Sequence, residues 1–232
     1  MGNRAVITTS KDFSGHGIGV YLHWYGGRGS VEAFLEYCRL SRFRSPDKDF
    51  YGWARLCQVV ANFFGNDGLS VGIDIIDRLD CDNGDNGTYI IEDWKIVDRK
   101  FFPKEEQSSY DLKEMMTAID ERQPEDSRLG RDFILADVVS TENLEPGHTV
   151  FLPEINGYGC YTVVGIGLNR VVDGRIVKGV PYVNRYVAFG TNRFGDNISN
   201  YLFDKEYRIK KTQRQTNPPK EQFPDAPLYG RI

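Results

Sequence analysis

The chain lacks most of the motifs that announce a function. Its four cysteines, Cys38, Cys57, Cys81 and Cys160, include no C-x-x-C pair, which excludes a zinc ribbon or a thioredoxin-type redox motif by spacing. No stretch approaches the ~18 consecutive apolar residues of a membrane span. The opening MGNRAVITTSKDF has no apolar core of the kind a signal peptide carries, so a cytoplasmic protein with free, mostly buried thiols and no membrane contact is expected. Basic charge is also short: the formal net charge is −4 and the pI near 5.5, against the basic footprint of a general nucleic-acid binder. The Walker pattern, the dinucleotide glycine fingerprint and a complete catalytic motif are all missing, and no cofactor is implied.

What is present is a globular composition, with 27% charged and 40% hydrophobic residues over 232 positions, enough for one large domain or two small ones. Glycine is in excess at 24 residues, and with 13 Tyr and 14 Phe it points to many turns and strands. Charge is unevenly spread: residues 1–126 carry 15 Lys and Arg against 22 Asp and Glu, net −7, and residues 127–232 carry 14 against 11, net +3.

The first region reads as strand, strand, helix, helix, strand, strand. Ala5–Thr9 and Ile18–Tyr25 have strand character, and neither face of the second is strongly polar, so it should be covered on both sides. After Gly26-Gly27-Arg28-Gly29-Ser30 the period changes. Val31, Phe34, Leu35 and Cys38 make a helical stripe with Ser30 as its expected N-cap. A second helix follows Ser45-Pro46, with Asp47 as cap, a stripe of Phe50, Ala54, Cys57, Ala61 and Phe64, and Gly65 at its end. The two Asn-Gly pairs of CDNGDNGTYI signal a hairpin, and TYIIEDWKIVDRKFF a further strand or strand pair.

Residues 107–130 are expected to hold a connecting helix, Tyr110 to Arg122, closed by Pro124, so the α+β domain would end near 106. From Phe133 short strands recur, at Phe133–Val139, Thr149–Leu152, Tyr158–Leu168, Val171–Val177, Tyr182–Phe189 and Tyr207–Lys211. Asp173-Gly174 reads as a hairpin tip, and NLEPGHTVFLP resembles the turn and first long strand of SH3-like barrels. The fold class expected is therefore α+β, with a small antiparallel barrel over 131–212 and an ordered, Pro-containing tail over 213–232.

Three groups of residues are chemically suggestive. Gly26, Gly27, Arg28, Gly29 and Ser30 join a strand to a helix, where glycines permit close approach, helix amides point outward and a guanidinium adds charge; this suits a small anion, and it also suits a plain glycine turn. His23 and Cys38 would form a nucleophilic pair only if adjacent in space, while Cys38 on an apolar stripe reads as buried. Arg185, Arg193, Arg208, Lys210 and Lys211, interleaved with Tyr186 and Phe194, could meet nucleic-acid phosphates on a barrel face or simply solvate it. The Asp80–Ile91 stretch fails the EF-hand pattern, having Gly84 and Asp85 out of place, and no metal site is expected.

The segment VYLHWYGGRGSVEAFLEYCRLSRFRSPDKDFYGWARLCQVVANFFG resembles a group of uncharacterised proteins carried on phages and integrative elements of anaerobic Gram-positive bacteria, over residues 18–65 above all. The resemblance implies an accessory protein of a mobile element that binds a host or element protein. A non-catalytic interaction role with a protein partner is thus expected first. A small-molecule enzyme or sensor built on the Gly26–Ser30 loop comes second and nucleic-acid binding by the barrel third.

Overall fold

The computed structural model of the chain describes residues 2–13, 17–65, 70–102, 111–154, 157–166, 170–172, 175–177, 181–187, 196–202 and 204–210. They form mixed α and β structure, dividing into two compact units: Met1–Ala136 with Phe151–Cys160, and Asp137–Val150 with Tyr161–Ile232.

The first unit contains a sheet of β1 (Ala5–Thr8), β2 (Ile18–Leu22), β3 (Val71–Ile75), β4 (Thr88–Glu92) and β5 (Lys95–Lys100), in the order β3-β2-β1-β4-β5. β1 is antiparallel to β2, with Ile7 opposite Val20, and parallel to β4, with Ile7 opposite Tyr89. A parallel neighbour cannot be reached by a tight turn. The intervening chain supplies the helices α1 (Arg28–Leu40) and α2 (Tyr51–Phe64), which share a core with one face of the sheet. Ala5, Ile7, Val20, Leu22, Tyr89 and Ile91 meet Phe34, Leu35, Leu56 and Val60 there. The opposite face is also covered: Val6 and Ile90 are buried, and Ile76 and Leu79 press on Gly19, where a Cβ would come within 2.6 Å of Leu79 Cδ1. The expected two-sided cover is found over β2 itself, but the strand ends at Leu22, and His23 and Trp24 of the expected Ile18–Tyr25 strand are exposed.

The Asn-Gly pairs do not form the expected hairpin, because β3 and β4 lie at different places in the sheet. The chain before β4 instead folds back on β1 as a buried polar loop. Asn83 Nδ2 donates to the Gly87 carbonyl at 2.9 Å, and its Oδ1 accepts from the Asp85 and Gly87 amides at 3.1 and 3.0 Å. Asn86, fully buried, donates to Asn3 Oδ1 and to the Arg4 carbonyl. Side-chain amides take over the pairing that a ladder would have supplied. Gly87, at φ +69, has no room for a side chain: a Cβ would lie 2.3 Å from the carbonyl oxygens of Lys100 and Phe101.

Both helix starts differ from expectation. The N-cap of α1 is Gly27, so Ser30 lies inside the first turn and is buried. The N-cap of α2 is Phe50, and Asp47 instead accepts a hydrogen bond from the Asp93 amide at 3.1 Å. The buried face of α2 is Gly52, Trp53, Leu56, Val59, Val60 and Phe64, while Phe50 and Ala54 of the expected stripe are exposed. Two faces of α2 are nearly equal in apolarity, and packing selected the one carrying the tryptophan. Gly52 is required for it, since a Cβ there would stand 2.5 Å from Pro46 N.

The expected strand pair after residue 87 is β4 and β5, joined through Asp93 and Trp94 at φ +48 and +62. Bulky residues rarely adopt such angles. Trp94 is held there by burial and by its indole N–H, which donates to the Phe43 carbonyl at 2.9 Å.

Helix α3 (Leu112–Glu121) is present where a connecting helix was expected, capped by Asp111, whose side chain accepts from the Glu114 amide at 3.0 Å. It belongs to the first unit: Met115, Met116 and Ile119 are buried in its core. The expected strand 133–139 begins instead as α4 (Arg131–Ile134), followed by β6 (Asp137–Ser140). Gly130, at φ +88, turns the chain into that short helix, which is too brief to show a period.

The second unit draws on a six-stranded sheet in the order β12-β11-β8-β7-β13-β6, with β7 Thr149–Glu154, β8 Gly157–Ile166, β11 Pro181–Val187, β12 Asp196–Tyr201 and β13 Glu206–Ile209. β9 (Arg170–Val172) and β10 (Arg175–Val177) pair antiparallel across the expected hairpin, whose tip residues 173–174 lie outside the described residues. β12, too polar to show a strand pattern, was not anticipated; it pairs along β11 from Asp196 to Tyr201. The Pro146-Gly147 turn is fixed by the Gly147 amide donating to the Val163 carbonyl at 2.9 Å and the Val163 amide to the His148 carbonyl at 2.8 Å. Residues 213–232, expected as an ordered tail, lie outside the described residues.

Candidate functional site

The site that the structure offers is a groove of about 450 Å³ in the first unit. One side is the end of α1 and the turn beyond it, through Leu40, Ser41, Arg42 and Phe43. The other side is α2, through Arg55, Gln58, Val59 and Asn62, and a wall of residues 123–129 closes the third. Tyr158 completes it.

Local structure makes each side firm. Helix α1 ends at Ser41, and Arg42 reverses the chain at φ +61. The Tyr158 hydroxyl donates to the Leu40 carbonyl at 2.8 Å, and Arg42 Nη1 donates to the Glu154 carbonyl at 3.1 Å. The wall hangs from two buried polar residues of the α3 end. Asp120 Oδ1 accepts from the Tyr37 hydroxyl and the Leu129 amide, both at 2.7 Å, and its Oδ2 from the Gly130 amide at 3.0 Å. Gln123 Nε2 donates to the carbonyls of Val59 and Ile119, while its Oε1 accepts from Asn62 Nδ2 at 2.9 Å. Burial and the bond to Asp120 hold the Tyr37 hydroxyl well above the usual phenol range, so it stays protonated.

Arginines dominate the electrostatics. Arg42, Arg55 and Arg128 line the groove, whereas Asp126 is the one carboxylate among its lining residues. Several other arginines are paired with acids: Arg4 with Asp85, Arg28 with Glu32, Arg39 with Glu36 and Arg44 with Asp49. Among the described residues no carboxylate pairs with Arg42, Arg55 or Arg128. Arg128 instead donates from Nε and Nη2 to the carbonyls of Gln123 and Glu121, and Arg55 from Nη1 to Gln58 Oε1 while standing 5.1 Å over the Phe43 ring. Each guanidinium has five N–H donors, so all three keep donors for a ligand. The Ser41 hydroxyl oxygen, also on the lining, is buried without a hydrogen-bond partner.

The residues singled out in the sequence lie elsewhere. Gly26 is buried and packs on β1, its amide donating to the Asn3 carbonyl at 2.7 Å, and a Cβ there would meet the Ala5 nitrogen at 2.6 Å. Close backbone packing accounts for this glycine. Arg28 pairs with Glu32 and lies 5.7 Å over the Tyr89 ring. Cys38 is fully buried in the apolar core, and burial, with Cys57 nearby, pushes its thiol far up, so it holds its proton. His23 is exposed after β2, with Tyr21 and Trp24 as its ring neighbours. Arg208 is half-buried in β13 and Lys210 exposed just after it. Arg193 and Lys211, with Phe194, lie outside the described residues, as do the side chains of Arg185 and Tyr186. Among the described residues no cluster of three His, Cys, Asp or Glu could hold a metal, and no helix is long and apolar enough to cross a membrane.

The groove had one signal in the sequence: Arg39, Arg42, Arg44, Lys48 and Arg55 crowd into an otherwise acidic half. Arg128 is far away in the chain and gave none. Compared with protein-family models, curated proteins and solved structures, the chain matches none of them.

Proposed function

We propose that the protein is a non-catalytic binding protein whose first unit holds an anionic group of its ligand in the groove between α1, α2 and the 123–129 wall. The observation that carries this reading is the set of three arginines around one cavity that have no carboxylate partner among the described residues, where guanidinium forks match carboxylate or phosphate geometry. The groove's ionisable groups favour binding over catalysis: Tyr37 is held protonated and Asp126 is exposed, which is no acid–base pair. The volume falls in the range of small-ligand sites, about 300–1,000 Å³.

On this reading the chain acts in the cytoplasm as an accessory protein of a mobile element, modulating a host or element protein. The support is the resemblance of residues 18–65, which contain most of the groove. The second unit is read as a small SH3-like barrel, supported by its antiparallel strand pairs. Chemical-shift mapping with citrate tests the site. Amides of 41–43, 55–62, 123 and 125–129 should move together, and an unmoved groove at saturating citrate would overturn the proposal.

A further inference from the structure

Beside the groove stands an unusual pair of exposed aromatics. Phe50 is 71% exposed and Tyr51 58%, and their rings stack at 4.7 Å with planes 26° apart. Arg44 lies 5.8 Å over Tyr51, next in sequence to Phe43, which lines the groove. Tyr51 and Arg55 are four residues apart on α2 and so share a face. Arg44, over Tyr51, and Arg55, over Phe43, thus connect the stacked pair to the residues that line the groove. On the side of the stacked pair the acids are engaged: Asp49 pairs with Arg44, Lys48 with Asp93 at 2.7 Å, and Asp47 accepts from the Asp93 amide, while Asp126 is the one exposed carboxylate on the groove lining.

We infer that this surface is a docking site for an acidic peptide segment of a partner protein, with carboxylates at Arg42, Arg55 and Arg128 and an apolar or aromatic side chain on Phe50 and Tyr51. The inference rests on the groove reading and adds the class of partner. Charge complementarity selects the acidic segment, since Arg42, Arg55 and Arg128 pair with no carboxylate among the described residues. The aromatic pair selects a peptide over a small anion, because exposed Tyr and Arg side by side are the groups that carry binding energy at protein interfaces. A small anion would fill the groove and leave the platform uncovered.

A displayed library of random peptides, selected on the full-length protein, tests the inference. Recovered peptides should place Asp or Glu beside aromatic or large aliphatic residues. A synthetic recovered peptide should bind at least ~10-fold more weakly to F50S/Y51S and to R42Q/R55Q, with circular dichroism confirming that both variants are folded. Arg55→Glu, a charge reversal at an exposed position, should remove binding altogether. Recovery of basic peptides, of none, or of acidic peptides indifferent to F50S/Y51S would overturn the inference, as would tighter binding of oligothymidylate than of the peptide. If citrate still moves the groove amides in any of those cases, the groove reading stands and the peptide assignment alone falls.

Discussion

Removing the Asp120 carboxylate should cost more stability than any other single polar change in the groove wall. It accepts from the Tyr37 hydroxyl at 2.7 Å, the Leu129 amide at 2.7 Å and the Gly130 amide at 3.0 Å, and is only 4% exposed. A hydrogen bond to a charged group contributes about 1.5–3 kcal/mol, and the donors left behind would be partly hydrated, so Asp120→Ala should lose about 4 kcal/mol. Asp120→Asn retains Oδ1 for two of the three donors and sets an amide N–H against that of Gly130, for a loss of about 2 kcal/mol. Tyr37→Phe removes one donor and should cost about 1.5 kcal/mol alone and almost nothing beside Asp120→Ala, a coupling that a double-mutant cycle reads directly. At about 2–4 °C per kcal/mol for a chain of this size, Asp120→Ala should melt about 8–16 °C lower. Urea and thermal melts followed by circular dichroism supply the numbers. A loss under ~1 kcal/mol for Asp120→Ala, or additive losses in the double variant, would refute the account of the wall.

Other perturbations separate packing from strain. Gly84 and Gly87 both have positive φ, but a Cβ at Gly84 meets only Arg4 Nη2 at 3.9 Å, so Gly84→Ala should cost about 1 kcal/mol and Gly87→Ala several times that in chemical melts. Trp94→Phe leaves the Phe43 carbonyl without its indole donor and should cost about 2 kcal/mol, with Trp94→Ala at about 3–5; a Trp94→Phe variant as stable as wild type would show that the hydrogen bond contributes nothing. The Cys38 thiol is raised in the fold by burial, so its contribution is full below the unfolded value of ~8.5 and is lost as pH rises above it, by about 1.4 kcal/mol per pH unit. Wild type should therefore weaken between pH 8 and 10 more steeply than Cys38→Ala, and parallel curves in urea titrations would contradict the burial argument.

How much of this was legible in the sequence depended on the range of the forces involved. The α1 stripe of Val31, Phe34, Leu35 and Cys38 is a local period and is buried as expected. The β4–β5 pair and α3, expected over Tyr110 to Arg122 and found over Leu112–Glu121, were legible for the same reason. What escaped notice was decided by distant partners. α3 gave a clear helical pattern, but only its packing against α1 shows that it belongs to the first unit's core and not to a linker. The Asn-Gly pairs carried a strong local turn signal that Asn83 and Asn86 redirected by binding backbone groups of Gly87 and Arg4. The Gly26–Ser30 loop looked like an anion cradle because glycine marks both ligand approach and backbone packing, and Gly26 lies against β1 for the second reason. The basic run around Arg42 and Arg55 was the groove's one local signal, and Arg128 joins it only when Asp120 and Gln123 fix the wall.

The central claim, that these arginines bind an anionic group, is tested most directly by calorimetric titration of citrate into wild type and R42Q/R55Q at low and moderate salt. The account predicts one site in wild type, weakened by salt and at least ~10-fold weaker in the variant, whose fold should be intact because both side chains are exposed. Equal affinity in the two proteins, or no detectable binding to wild type at low salt, would contradict it.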